Sequence, residues 1–236
     1  MPISIAKLIS CIDLTRLNDD DTKANIIALC QSATTPFGPV AAVCVHMPFV
    51  HLAKQHLPKS IHVATVINFP HGTTPIKQCI ADIQQAIDDG ADELDVVMPY
   101  SAFMMGKNKM VRAFLSRCRQ LTKKHILKII IESGALVTTS LIHQAASLVV
   151  ESGADFVKTS TGKIKMGATL AASAEILRVI KEKNANTGIK ISGSIRTHEQ
   201  TMTYVEQAIA IMGKNWISPT HFRVGASSLL NDLLTL

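Results

Sequence analysis

Three features of the chain predict an α/β fold built from alternating strands and helices. Short β-rich apolar runs recur about once per thirty residues, amphipathic helical segments lie between them, and aromatic side chains are scarce. The 236 residues are 47% hydrophobic but only 4% aromatic, so the interior must be built from Ile, Val, Leu, Ala and Met. Such a core suits repeated strand–helix packing better than an all-β sandwich. The length is close to the ~250 residues typical of a closed eight-unit barrel, which makes a single domain over residues 1–236 the expectation.

Taken in order, the candidate strands are CIDLT from Cys11, VAAVCVH from Val40, HVATVINF from His62 and ELDVVMP from Glu93, followed by KIIIES from Lys128, FVKTST from Phe156, GIKISG from Gly188 and FRVGAS from Phe222. Eight βα units predict a closed parallel barrel, the TIM (β/α)8 architecture. A doubly wound open sheet is the runner-up, but it calls for a G-x-G-x-x-G turn after the first strand, which this chain lacks. Helix punctuation agrees with the count. Thr74-Pro75 offers an N-cap with proline at the first helical position and Gly90 a stop, and similar brackets run from Thr138 to Gly153 and from Thr197 to Gly213. No low-complexity tract or Gly/Ser linker marks a domain boundary.

Several function classes are disfavoured by composition. The five cysteines (Cys11, Cys30, Cys44, Cys79, Cys118) are odd in number, widely spaced and without a C-x-x-C pair, as expected of reduced cytosolic thiols. The N-terminal MPISIAKLISCIDLTRLNDDD has too short an apolar run and no small-residue cleavage site to serve as a signal peptide. No stretch approaches 18 uninterrupted apolar residues. The expectation is therefore a cytoplasmic protein with no membrane partner.

Much of the net charge of +6 falls between Lys107 and Lys128, where eight Lys or Arg meet no acidic residue. Met110, Val111, Phe114, Leu115, Cys118 and Leu121 recur there at helical spacing, while Lys109, Arg112, Arg117, Arg119, Lys123 and Lys124 lie mostly off that stripe. Without interleaved aromatics for base stacking, this is the solvated face of a surface helix rather than a nucleic-acid interface.

Chemistry is suggested by two lysines placed where strands should be. Lys158 and Lys190 are each flanked by apolar or β-branched residues, and burial drives a lysine towards its neutral, nucleophilic form. In a parallel barrel alternate residues point inward, so Lys158, Lys190 and Asp95 face the interior while Val157, Ile189, Ile191, Leu94, Val96 and Met98 face the helices. Lys128 and Glu132 join them from the strand between. A lone strand lysine is more often an edge charge or a snorkelling side chain; the cluster carries the signal. Two nearby ammonium groups each disfavour protonation of the other, and a carboxylate beside an imine-forming amine is what proton transfer requires. The turns Thr161-Gly162-Lys163, Gly193-Ser194 and Gly225-Ala226-Ser227-Ser228 follow the last three strands, where barrels commonly hold phosphate; the last turn opens a C-terminal helix.

The strings LDVVMPY, LKIIIESG, FVKTSTGK, NFPHG and FRVGASSLL resemble those of the deoxyribose-phosphate aldolases, class I aldolases with a TIM-barrel fold. The likeness runs from IDLTRLNDDDT to the C-terminal helix. It implies reversible cleavage of 2-deoxy-D-ribose 5-phosphate to D-glyceraldehyde 3-phosphate and acetaldehyde, with the breakdown of deoxynucleosides as setting. It further implies that Lys158 forms the Schiff base, that Lys190 perturbs its pKa and that Asp95 takes part in proton transfer through water. Phosphate contacts are implied for Gly162, Lys163, Gly193, Ser194, Arg196, Gly225, Ser227 and Ser228, and supporting polar roles for Asp13 and Lys128. No metal or organic cofactor is implied, and the nine histidines, His46 and His71 among them, are scattered rather than grouped as ligands.

The expected partner is a small phosphosugar, with a homodimer as the assembly. Where the family commonly has Lys-Pro-Ala-Gly-Gly-Val-Arg, this chain reads KISGSIR from Lys190 to Arg196. If the second glycine position needs positive φ, Ser194 is costly there. The departure leaves open a class I aldolase for a different phosphorylated sugar, and beyond that a non-catalytic phosphosugar-binding barrel.

Overall fold

The computed structural model describes residues 3–183 and 186–236. Eight parallel strands close into a barrel: β1 (Ile12–Thr15), β2 (Ala42–Val45), β3 (His62–Ile67), β4 (Glu93–Val97), β5 (Ile126–Ile130), β6 (Phe156–Lys158), β7 (Gly188–Ser192) and β8 (Phe222–Ala226). Each pairs with its sequence neighbour, and β8 returns to β1 through Ile12↔Val224 and Asp13↔Gly225. All eight strands read from the sequence are present. A two-residue antiparallel pair, Thr34–Thr35 with Gly38–Pro39, was not among them; it is too short to carry a period.

Each strand is followed by a helix: α1 (Lys23–Ser32), α2 (Val50–His56), α3 (Ile76–Asp88), α4 (Asn108–Leu121), α5 (Thr139–Glu151), α6 (Leu170–Glu182), α7 (His198–Met212) and α8 (Leu229–Leu233). Thr138 and Thr197 cap α5 and α7 as expected, accepting from Leu141 N and Gln200 N. At α3 the expectation fails by one residue. Pro75 takes the cap position and no side chain caps the helix, while the Thr74 N–H donates to Asn68 Oδ1 at 2.8 Å.

Strand alternation separates two interiors. Leu94, Val96, Met98, Ile129, Val157, Ile189 and Ile191 point outward and pack with Ile83, Leu115, Val149, Ile176 and Val205 from the helices in the main core. Complete burial of such side chains contributes about 1.5–3 kcal/mol each. Inside the barrel Ala42, Cys44, Ala64 and Val66 form a small separate apolar cluster with Leu17. The small side chains of β2 and β3 leave room there for long charged ones from the opposite wall.

The basic segment behaves as a surface helix. Val111, Phe114, Leu115 and Cys118 of α4 are buried, while Arg112 pairs with Glu151 at 2.6 Å and Arg119 with Asp155 at 2.7 Å. Met110, read as part of the buried stripe, sits in the first turn of α4 and is 46% exposed. Among the described residues, no helix is long and apolar enough to cross a membrane.

Candidate active site

Register brings the inward charges together. Asp95 on β4 is the partner of Lys128 on β5, Lys158 on β6 of Lys190 on β7, and Lys190 of Arg223 on β8. Lys158 Nζ donates to Asp95 Oδ2 at 2.6 Å, and Lys190 Nζ reaches the same oxygen at 2.7 Å. Lys190 also lies 2.6 Å from Asp13 Oδ2. Lys128 Nζ is 2.8 Å from Asp95 Oδ1 and 3.2 Å from Asp13 Oδ2, and it touches Glu93 as well. Arg223 closes the group with Asp13 at 2.5 Å and Glu93 at 3.2 Å. All of these side chains are buried.

The two strand lysines, expected to be depressed together, are electrostatically unlike. Burial pushes Lys158 below the ordinary lysine value; Asp95 opposes that shift and the Lys190 charge reinforces it. Burial pushes Lys190 in the same direction, but the carboxylates of Asp13 and Asp95 outweigh it and hold Lys190 above the ordinary value. Lys128 is held well above it by Asp13, Asp95 and Glu93, against the same burial. Burial would raise Asp95, yet Lys128, Lys158 and Lys190 bring its carboxyl well below the usual range. One lysine is thus readied as a nucleophile amid groups that stay charged.

Above Lys158 opens a cavity of about 510 Å³. Of the residues read from the sequence, Lys158, Gly162, Lys163, Gly193, Ser194, Arg196, Gly225 and Ser227 line it; Asp95, Lys190, Asp13 and Lys128 lie in the charged group beneath. Ser228 lies outside this lining, exposed at the N-cap position of α8.

The loops after β6 and β7 touch. A Cβ on Gly193 would lie 2.9 Å from Gly167 Cα, and Gly162 and Gly193 have φ of 77° and 87°. Ser194 also sits at positive φ, 71°, with no glycine to accommodate it. Lys163 spans the cavity, its Nζ donating to Leu17 O at 2.6 Å.

Glu132, read as part of the strand carrying Lys128, lies beyond its end at φ 52°. Its carboxylate accepts from Thr161 Oγ1 at 2.5 Å and so anchors the loop after β6; burial raises its pKa. Several residues of this site went unread, Glu93 of the charged group among them. Thr15, Arg16 and Asn18 line the cavity from the end of β1, where the strand-end rule that found the other turns applies equally, and Arg223 closes the charged group from below. Among the described residues, no group of three or more His, Cys, Asp or Glu is arranged to hold a metal ion.

This geometry has relatives. Residues 7–235 match the model of the DeoC/LacD family aldolases. A candidate deoxyribose-phosphate aldolase from Coccidioides immitis is 30% identical over 99% of this chain and 87% of its own, with a TM-score of 0.88. One from Toxoplasma gondii ME49 is 27% identical over 98% of this chain and 95% of its own, with a TM-score of 0.89. The tetrameric deoxyribose phosphate aldolase from Aeropyrum pernix, 24% identical over 98% of this chain and 92% of its own, shares the fold with a TM-score of 0.77. A barrel with a buried lysine under a small-residue rim, matched over nearly its whole length, leads to one assignment: the chain belongs to the DeoC/LacD aldolase family.

Proposed function

We propose that this aldolase cleaves 2-deoxy-D-ribose 5-phosphate reversibly through a Schiff base on Lys158. The observation that carries the reading is the placement of Lys158: buried at the cavity floor, 2.6 Å from Asp95, and shifted towards neutrality while Lys190 and Lys128 stay charged. Its lone pair attacks C1 of the open-chain sugar, the carbonyl oxygen is protonated, and water leaves to give an iminium ion. Removal of the C3 hydroxyl proton breaks the C2–C3 bond, whose electron pair passes into the iminium and leaves an enamine. Glyceraldehyde 3-phosphate departs. Protonation at C2 and hydrolysis then release acetaldehyde and restore the amine.

In this reading Asp95 accepts and returns protons through water, and the Lys190 ammonium is the positive neighbour that disfavours a second charge on Lys158. Gly162, Lys163, Gly193, Ser194, Arg196, Gly225 and Ser227 surround the position for the phosphate, supported by the glycine turns, which leave backbone N–H groups approachable. Asp13 and Lys128 hold the charged group in place, and residues 1–236 act as one barrel domain. The compartment proposed is the cytoplasm and the assembly a homodimer, which sedimentation velocity tests.

Borohydride reduction with deoxyribose 5-phosphate, followed by peptide mass mapping, tests the chemistry. The expected result is a mass increase on Lys158 alone, lost in Lys158→Leu. An adduct on another lysine overturns the assignment, and phosphosugar binding with no adduct in the wild type returns the chain to a binding barrel. A panel of phosphosugars in the same assay tests the substrate, since the KISGSIR turn borders the phosphate position.

A further inference from the structure

The buried network contains three carboxylates, Asp13, Glu93 and Asp95, and four cations, Lys128, Lys158, Lys190 and Arg223. With every group ionised it carries one positive charge too many, a costly state where water is excluded. One cation must give up its proton for the charges to balance. Arg223 cannot, since guanidinium stays protonated in proteins. Lys128 meets three carboxylates and Lys190 meets two, whereas Lys158 meets only Asp95, whose oxygens two other ammonium groups already engage. The surplus therefore falls on Lys158.

Arg223 makes no contact with Lys158 and stands apart from the reaction. It is not among the residues lining the cavity, and its guanidinium, whose carbon lies 5.5 Å from the centroid of the Phe156 ring, is spent on Asp13, Glu93 and the Pro219 carbonyl. We infer that Arg223, balanced by Glu93, is a positioning residue that makes Lys158 the neutral member of the network by supplying the third permanent positive charge from beneath the site. The inference deepens the reading of Lys158 as the Schiff-base lysine and rests on it.

The surrounding charges are accounted for. Lys158 is faced by Asp95 from β4, Lys190 from β7, Cys44 from β2 and Glu132 beyond β5; the Glu132 carboxylate is directed at Thr161 rather than at any of the four cations. Lys128 and Asp13 lie one contact further in. Around Arg223 stand Asp13, Glu93, Cys11 and His62, whose half-exposed imidazole binds Glu93 at 2.7 Å at the solvent edge of the network. The shifts agree with the count: burial against the paired charges leaves Asp13, Glu93 and Asp95 below their ordinary values and Lys128 and Lys190 above theirs, while Lys158 alone among the lysines of the network is lowered.

Removing a charge at one end should therefore move the protonation of Lys158 at the other. In Arg223→Met the carboxylates outnumber the remaining permanent cations, so Lys158 is recruited as an ammonium. In Glu93→Gln the surplus grows and Lys158 is freed further. The measurement is the pH midpoint of borohydride trapping on Lys158 with deoxyribose 5-phosphate, alongside the acid limb of kcat/KM. Arg223→Met should raise the midpoint by about one to two pH units and Glu93→Gln should lower it comparably.

The double variant restores the balance and should return the midpoint to near that of the wild type, an outcome that a merely structural role, with its losses adding, does not give. Should Arg223→Met fail to fold, Glu93→Gln and the double variant still decide. A double variant displaced as far as either single one, or single variants slowed with unmoved midpoints, would overturn the inference while leaving the Schiff-base reading intact. Wild-type protein with no adduct on Lys158 at any pH sinks that reading first, and the inference with it.

Discussion

Replacing Ser194 by glycine removes a Cβ from a backbone position at φ 71°, in the turn where this chain reads KISGSIR. A non-glycine residue in the left-handed region costs about 1–3 kcal/mol. Against that gain, glycine adds freedom to the unfolded chain worth about 0.4–1 kcal/mol. The Ser194 side chain is exposed and its hydroxyl makes no hydrogen bond among the described residues, so nothing else is lost. The net expectation is stabilisation by about 1 kcal/mol, or about 2–4 °C in Tm for a chain of this size. Differential scanning calorimetry in phosphate-free buffer measures it. Gly193→Ala is the opposite control: at φ 87°, with its new Cβ 2.9 Å from Gly167 Cα, it should lose more than Ser194→Gly gains. A Ser194→Gly protein that melts at or below the wild-type temperature would refute the strain argument.

The same geometry fixes four further outcomes. Asp95→Asn leaves Lys128, Lys158 and Lys190 facing a neutral amide and should cost about 3–5 kcal/mol in urea unfolding, together with loss of Lys158 trapping. Gly225→Ala places a Cβ 3.0 Å from Lys190 Cε and 3.2 Å from Ser192 Cβ, so kcat should fall roughly tenfold, with little change in Tm. For pH, the lysine must be neutral to attack and its pKa is lowered, so kcat/KM should rise with pH along a limb below the ordinary lysine range; a limb at the ordinary value would contradict the shift. Stability changes in the same direction but in a lower window: the lowered values of Asp13 and Asp95 stabilise the fold above the usual carboxylate range, and urea unfolding should show that contribution lost as pH falls through the folded values.

The barrel was legible because strand alternation is local: one residue of every two in LDVVM, FVKT and GIKIS declares its side, which was enough to place Asp95, Lys158 and Lys190 on one wall. Glu93 and Arg223 escaped notice for a nonlocal reason. Each stands at or next to the first residue of its strand, where a charge reads as a solvated edge; only the stagger of a closed sheet carries those positions inward. The unequal fates of the two lysines also depend on how many carboxylates each one meets, a quantity no single strand encodes. Ser194 was visible as a departure from the family pattern, but its dihedral was not. Ser228 was read as one turn with Ser227, and the structure places it one step on, at the start of α8.

Lys128 has a mechanical consequence of its own. Its ammonium has three hydrogens and meets three carboxylates: Glu93 and Asp95 from the adjacent strand, and Asp13 from β1 across the interior. Beside its hydrogen bond to Asp95, the contact with Asp13 makes it a spoke rather than a rim bond, tying β5 to β1, which share no ladder. Widening or narrowing of the barrel strains the spoke before it loosens the sheet. The separations among the reacting groups above it are therefore set by the length of a buried side chain, and they hold even where the loops at the rim move.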